Sequence, residues 1–284
     1  MSGVSTNRTN ITLPVDVSGI ILQKMQEESA VMRMARQISL PGRGTSINVI
    51  TSDPVAGWVG ETDAKPVSNP GLETKIMQAY KLAVIVPFSK EFVRDADALY
   101  DALVDRLPRA LGLKFDQTVF GGTAPGSNFD VLTSATAQSL STDAYAGLVA
   151  ADADIANHDG NLDGFVLSPA AKSILLSAVD GNERPLFINS VADGAIPVIL
   201  GVPVTYSKGV YKAGTPNVVG YAGDWTQALY GTVEGVQIST SEEATLVNGN
   251  TTINLFQQNM VAVRAEIEVG FRADVSCFNK LTAA

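Results

Sequence analysis

The side chains that could carry chemistry are few and scattered. The single histidine, His158, lies in Asn157-His-Asp-Gly160. A Ser-His-Asp arrangement needs that imidazole oriented by a carboxylate and set against a serine hydroxyl, and the chain has no Gly-x-Ser-x-Gly elbow to present one. His158 therefore reads as a solvated loop residue. The single cysteine, Cys277, sits in the strand-like stretch Val275-Ser-Cys-Phe278 and reads as a small buried hydrophobe rather than a nucleophile. Asp159-Gly-Asn-Leu-Asp163-Gly164 fits the first half of a calcium loop, but position twelve, where a bidentate Glu is required, is Ala170. It reads as a polar turn ahead of a strand. Gly42-Arg43-Gly44 does not extend to a dinucleotide fingerprint, and no GxxxxGK[ST] phosphate loop is present. One His excludes a multi-histidine metal site, and one Cys excludes an intrachain disulfide. No catalytic residue, cofactor or metal is expected. Lys65 and Lys75 flank the tip of a long loop, either as solvated charges or as a contact or covalent crosslink to a neighbour.

The chain behind these residues has 284 residues and a mass of 29.8 kDa, enough for one large domain or two small ones. At 45% hydrophobic and 17% charged it is no disordered chain. Lys+Arg is 20 and Asp+Glu is 29, a net charge of −9, so a free-standing nucleic-acid binder is not indicated. The charge is uneven. Residues 1–44 hold five basic and three acidic side chains, a net of +2 that leaves −11 for the rest. That asymmetry is either chance or an N-terminal arm that meets an acidic surface or a polyanion. The start lacks the charged-then-apolar build of a signal peptide, and the apolar run at 82–88 is far short of the roughly 20 residues of a membrane span. The expectation is a soluble, acidic protein made in a reducing compartment, with no membrane partner.

Three stretches cannot bury themselves alone. From Pro14 a helical stripe, Ile20, Ile21, Met25, Val31, Met32 and Ala35, runs toward the breaker Pro41-Gly42. Its first part, Ile20, Ile21 and Met25, has no obvious core and is expected on a neighbouring subunit. Next, a strand at 45–50 and another within 75–88 enclose residues 52–75, with three prolines and three glycines yet also Val55, Trp58, Val59, Val67 and Leu72. So long a connection is usually functional, and a lone two-stranded hairpin is marginal in water. Its apolar residues want a partner surface, on a second subunit or on their own core. Third, Ser89 to Gly121 reads as one long helix, capped by Ser89 with Glu91 in its first turn, apolar at Phe92, Ala96, Leu99, Leu103, Leu107 and Leu111, and kinked at Pro108. Beyond Gly121-Gly122 the pattern becomes α+β: a short helix over 142–157, a buried strand at 164–168, a helix opened by Ser168-Pro169, then strands to the C-terminus with a mostly antiparallel sheet. The combination indicates an assembling, structural protein and not a catalyst.

Seven segments, in order from about residue 11 to 281, carry a resemblance. Trp58-Val-Gly-Glu61 is similar to the W-x-G-E of tailed-bacteriophage major capsid proteins. Residues 81–97, KLAVIVPFSKEFVRDAD, are similar to that family's strand and entry into its spine helix, and 120–129 to its Gly-rich stop. Residues 164–187 resemble its strand, Ser-Pro and helix stretch, and 200–208 its G-x-P-V strand. Residues 223–244 and 259–281 resemble its G-D-aromatic and closing R-x-E-x-R-x-G strands. Glu268 stands where a basic residue is often found, and Ser276-Cys277-Phe278 replaces a common Pro-x-Ala-Phe.

The resemblance implies the Hong Kong 97-type capsid fold, α+β, with an N-arm and lead-in helix at 1–41 and an extended β-hairpin E-loop at 42–82. The peripheral domain would take 83–125 and 231–276, with its spine helix at 89–121. The axial domain, with a mixed, mostly antiparallel sheet, would take 126–230 and 277–284. It implies a non-enzymatic subunit forming pentamers and hexamers around double-stranded DNA in a virion assembled in the bacterial cytoplasm, with portal, decoration or cement proteins as partners. The short irregular start suggests a separate scaffold or none. Contacts between subunits would fall on Trp58, Val59, Glu61 and Leu72 of the E-loop and on Ile20, Ile21 and Met25 of the arm, with Pro108 as the spine-helix kink. A family crosslink from a loop Lys to an Asn would fall on Lys65 or Lys75 with Asn279. An encapsulin-like compartment shares the fold, and a soluble α+β enzyme is the alternative outside it.

Overall fold

A computed structural model describes residues 23–42, 44–52, 56–60, 64, 65, 67, 71–93, 96–180, 182–187, 198–249 and 251–283. The long helical signal becomes two pieces, a single turn α3 (Lys90–Val93) and α4 (Ala96–Gly121). Leu107, Leu111, Phe115 and Val119 recur every four residues and are all buried, so one stripe of α4 faces a core. Pro108 is buried inside α4, which remains helical on both sides of it.

Before α4 the chain forms α1 (23–28) and α2 (Ala30–Met34), separated by Ser29, then strand β1 (Arg36–Ser39). The helix expected as far as Pro41 thus stops at Met34. Ala35 turns extended, and the next four residues pair in parallel with β10 (Ala228–Thr232). Helical spacing in the sequence could not show that a sheet edge was waiting there.

The first sheet is organised by β14 (Met260–Ala273), fourteen residues long. One edge of β14 pairs with β4 (Tyr80–Ser89); the other is shared by β11 (Gln237–Ser241) and β10, and β1 lies outside β10. Alternate residues Val263, Ala265, Ile267, Val269, Phe271 and Ala273 are buried, the period-two signature of a sheet covered on that face. Phe115 of α4 stands edge-on to Phe271, their ring centres 6.4 Å apart. Pro87 is tolerated because β4 is an edge strand, with no partner needing its missing N–H.

The second sheet has the order β5 (Thr136–Ser139), β15 (Phe278–Ala283), β9 (Asn217–Gly223), β6 (Gly164–Leu167), β8 (Val202–Tyr206), β7 (Val198–Ile199). The β5–β15 and β6–β8 pairs are parallel and the other three antiparallel. Helices α5 (Ala144–Asn157) and α6 (Pro169–Leu176) cover it, capped by Asp143 and Ser168. All four residues of β6 are buried because both its faces are covered. Phe165 and Leu167 join Leu148, Ile155 and Leu175 under the helices, while Val166 joins the core around α4 with Tyr221 and Trp225.

The two sheets are joined by one ribbon. The chain passes from β9 to β10 and returns from β14 to β15, with Gly223 opposite Phe278 and Ala228 opposite Ala273. Between those pairs, Asp224-Trp-Thr-Gln227 faces Asp274-Val-Ser-Cys277, and each forms a short 3₁₀ turn. Asp224 Oδ1 accepts from the Thr226 amide (3.0 Å); Asp274 Oδ1 accepts from the Ser276 amide (3.1 Å). The amide of Asp224 donates to the Cys277 carbonyl (3.1 Å) and that of Asp274 to the Gln227 carbonyl (3.3 Å). Trp225 wedges into the joint, donating from Nε1 to the Gly164 carbonyl (3.2 Å).

A buried carboxylate fastens the remaining piece. Asp116, on α4, is 1% exposed and has no basic side chain among its hydrogen-bond partners. Its Oδ1 accepts from Ser29 Oγ (2.6 Å) and the Val31 amide (3.3 Å); its Oδ2 accepts from the Ala30 amide (3.0 Å) and Ser207 Oγ (2.8 Å). The α1–α2 segment, α4 and the loop after β8 thus meet at one side chain. Burial pushes the carboxyl above its ordinary range, and the four donors pull part of the way back. Asp116→Asn keeps the shape but turns an NH₂ toward two donors. With each buried unsatisfied group costing about 1–3 kcal/mol, we expect a loss of about 2–4 kcal/mol in unfolding free energy, read by denaturant titration of the unassembled subunit.

Candidate assembly surfaces

The surface features that sequence reasoning singled out gather on a hairpin. Strands β2 (Thr45–Ser52) and β3 (Gly71–Met77) pair antiparallel with each other and form a sheet of their own. The expected second strand is in fact two, because the chain breaks at Gln78-Ala79, and from Tyr80 it belongs to β4 and pairs with β14. Trp58 has 105% of its reference surface in water, and Val59 and Val67 are also exposed. Leu72 lies opposite Ile50 in the β2–β3 register. Glu61 lies outside the described residues, as does the side chain of Leu72.

The hairpin root, in contrast, is anchored. Met77 is fully buried. Gly44 has φ +84°, and a Cβ there would approach the Met77 carbonyl to 2.6 Å, so glycine is required where β2 leaves the body. Arg272, on β14, donates from Nε (2.9 Å) and Nη2 (2.5 Å) to the Ile76 carbonyl, and from Nη1 to Asp130 Oδ1 (2.7 Å). Asn128 donates its amide to the Tyr80 hydroxyl (3.2 Å) and its side-chain nitrogen to Gln78 Oε1 (3.3 Å). Glu268, the unusual acid in the closing motif, is met across the strand pair by Lys81 at 3.3 Å.

A second hairpin went unnoticed in the sequence. β12 (Thr245–Asn248) and β13 (Thr251–Asn254) form another isolated two-stranded sheet, with Val247 73% and Phe256 77% exposed beside it. The available signal was Asn248-Gly249, a favoured hairpin turn, with Gly249 at φ +58°.

The other expected site residues fall differently. Met25 has no exposed surface and packs in its own chain's core with Val31, Leu111 and Phe115, which corrects its expected place on a neighbour. Ile20 and Ile21 lie outside the described residues. Asn279 is also fully buried; Gln138 Nε2 donates to its Oδ1 (3.4 Å) and its Nδ2 donates to the Ala151 carbonyl (3.3 Å). It is already used inside its own sheet and is not placed to meet a lysine of another subunit.

The candidate chemistry is absorbed locally. Asp163 Oδ1 accepts from the Trp225 amide (2.9 Å) and Asp224 Oδ2 from the Asn161 amide (3.0 Å), so the calcium-like turn docks on the ribbon. His158 closes α5, its Nδ1 2.8 Å from the Asp154 carbonyl. Cys277 is buried, and burial, with Asp274 adding to it, pushes the thiol up and disfavours the thiolate. Among the described residues no group of three or more His, Cys, Asp or Glu side chains could hold a metal, and no helix is long and apolar enough to cross a membrane.

A two-sheet body that throws out two hairpins with a Trp and a Phe in water is a subunit built to be completed by other molecules. The comparisons agree with that class. The model of the phage capsid family matches residues 9–275. The probable major capsid protein of Mycobacterium phage L5 is 31% identical over 277 residues, covering 89% of this chain and 84% of that one. The major capsid protein of Staphylococcus phage 80alpha is 25% identical over 284 residues, covering 96% and 85%. A solved chain of Gordonia phage Cozz superposes with a TM-score of 0.74 at 20% identity, covering 100% of this chain and 90% of that one. The chain belongs to the phage capsid family, and its fold is the α+β Hong Kong 97-type.

Truncating a side chain that is entirely in water should leave the isolated subunit within about 0.5 kcal/mol of wild type. We therefore expect Trp58→Ala to leave the unfolding midpoint unchanged while weakening assembly at least several-fold by light scattering. In the wild type, tryptophan emission should shift to the blue as particles form, because Trp225 is already buried in the subunit and Trp58 is in water.

Proposed function

We propose that this protein is the major capsid protein of a tailed phage, a structural subunit whose copies form pentamers and hexamers and close into an icosahedral head around double-stranded DNA. The observation that carries the reading is the β2–β3 hairpin, which has apolar residues in water at its tip and an anchored root. Laid across an adjacent copy, Trp58 and Val59 leave water at every position of a ring, at about 1.5–3 kcal/mol for each large side chain, and Leu72 would join the same contact. Glu61 would then face a basic group of that neighbour, and Ile20 and Ile21 of the arm would lie on a neighbouring subunit's inner surface.

In this reading the first sheet with α4 is the peripheral domain and the second sheet with α5 and α6 the axial domain. Pro108, which cannot donate to the carbonyl four residues back, is the place where α4 bends as the shell changes shape. A portal, a separate scaffold and decoration proteins are the further partners, and the host cytoplasm is the site of assembly. The acidic net charge of −9 suits a container that must not bind its DNA tightly, because attraction to phosphate grows with each basic contact. The relatives' names are those of phage capsid proteins, which favours a virion over a nanocompartment with protein cargo.

Negative-stain microscopy of the purified protein, alone or with its scaffold, should show closed particles or capsomers. A chain that stays monomeric at tens of micromolar in every salt condition would sink the proposal. Replacing residues 53–70 by a short Gly/Ser turn should give a folded subunit with near-wild-type circular dichroism and no stable capsomers. Unfolding of that variant would mean that the loop serves its own core.

A further inference from the structure

We propose that Arg272 is the positioning residue that sets the angle at which the β2–β3 hairpin leaves the body, and through that angle governs assembly. The inference rests on the reading of the hairpin as an intersubunit contact. The hairpin makes a sheet of its own, so no continuous ladder fixes its direction. Arg272 reaches into it from β14. Its Nε and Nη2 both donate to the carbonyl of Ile76, one residue before β3 ends. On the other side the guanidinium is gripped by Asp130 through Nη1 (2.7 Å) and by Asn128 Oδ1 through Nη2 (3.2 Å). Asp130 is itself fixed on both flanks of Arg272, its Oδ2 accepting from the Ala273 amide (3.2 Å) and its own amide donating to the Phe271 carbonyl (3.1 Å). The Arg272 side chain is only 13% exposed, and its bonds to Asp130 and Asn128 are partly buried, while those to the Ile76 carbonyl lie at the surface.

Geometry makes the root decisive. Strands of seven to eight residues carry the tip roughly 25 Å from the root at about 3.3 Å per residue, so a root rotation of about 10° moves Trp58 by about 4 Å. An interface packed at interior density does not absorb such a shift. The role requires a planar fork: one guanidinium edge addresses the hairpin carbonyl while the other holds the carboxylate. A lysine ammonium is a point charge without that edge.

The test uses spin labels at Lys65→Cys on the tip and Lys114→Cys on the exposed side of α4, the native Cys277 being buried. Distances are measured by pulsed dipolar spectroscopy in the unassembled full-length subunit. Arg272→Gln should at least double the width of the tip-to-body distance distribution and lower the assembled fraction at least ten-fold, with the unfolding midpoint within a few degrees of wild type. Arg272→Lys keeps the charge opposite Asp130 and decides the matter if the Gln variant does not fold. It should broaden the distribution and impair assembly as well. A lysine variant with wild-type width and wild-type assembly would overturn the role of Arg272. A broadened distribution with assembly intact would overturn the hairpin reading on which the role rests.

Discussion

One buried carboxylate decides whether this chain has a single body. Asp116 stands on α4 with no cation among its hydrogen-bond partners, and it receives donors from Ser29, Ala30, Val31 and Ser207. A charge taken out of water is costly unless its hydrogen bonds are made. The segments carrying those donors are therefore held where they are as strictly as any core residue. The consequences spread outward. Ser29 caps α2 and ends α1, which turns Met25, Val31 and Met32 onto the α4 core. With α2 fixed, β1 falls beside β10 and completes the first sheet. With Ser207 fixed, the turn at 208–210 packs against α4, close enough that only a glycine fits at 209; a Cβ there would come within 2.7 Å of that of Asp116.

The second constraint is that both sheets share strands through one ribbon. β9 and β15 continue into β10 and β14 across matched aspartate-capped turns, so neither sheet can rotate without disturbing the other. Trp225 fills the joint between Phe120 and Phe278, and the Tyr221 hydroxyl donates to the Phe120 carbonyl at the end of α4. Among the described residues the most exposed large apolar side chains, Trp58, Val67, Val247 and Phe256, lie on or beside the two hairpins and not on this joint. That separation lets the fold survive as a subunit while leaving the apolar tips for other molecules.

How legible this was in the sequence depends on the range of the interactions. Local signals worked: Ser168-Pro169 opened α6, Gly121-Gly122 closed α4, and Trp58-Val59 within a Pro- and Gly-rich stretch marked the exposed tip. Where a break carries no breaker, periodicity ran straight through it. Gln78-Ala79 has neither Gly nor Pro, so β3 and β4 looked like one strand. The β12–β13 hairpin was lost in a long run of strand-like residues although Asn248-Gly249 marked its turn. Long-range partners were invisible. Nothing in the spacing of Ile20, Ile21 and Met25 announces an aspartate 91 residues beyond Met25, and so Met25 looked surplus when it is core. Arg272 was legible only as one letter of a closing motif, because its function depends on a carbonyl 196 residues earlier in the chain.

The contrast between a fixed root and an exposed tip bears on how a closed shell can be built from one chain. A hairpin that hides two or three apolar side chains on a neighbour gains only several kcal/mol by area, before the cost of holding the partners together. A net gain of about 4 kcal/mol corresponds to a dissociation constant near 1 mM. One contact of that strength comes apart readily, so a misplaced subunit can leave. A ring turns the last contact into an intramolecular one, and stability then grows with closure rather than with any single interface. Weak contacts select the right geometry only if each subunit offers the same angle every time. Strength can therefore be low at the tip, but precision at the root cannot, and it is at the root that the chain places a guanidinium fork, a buried methionine and glycines packed against backbone.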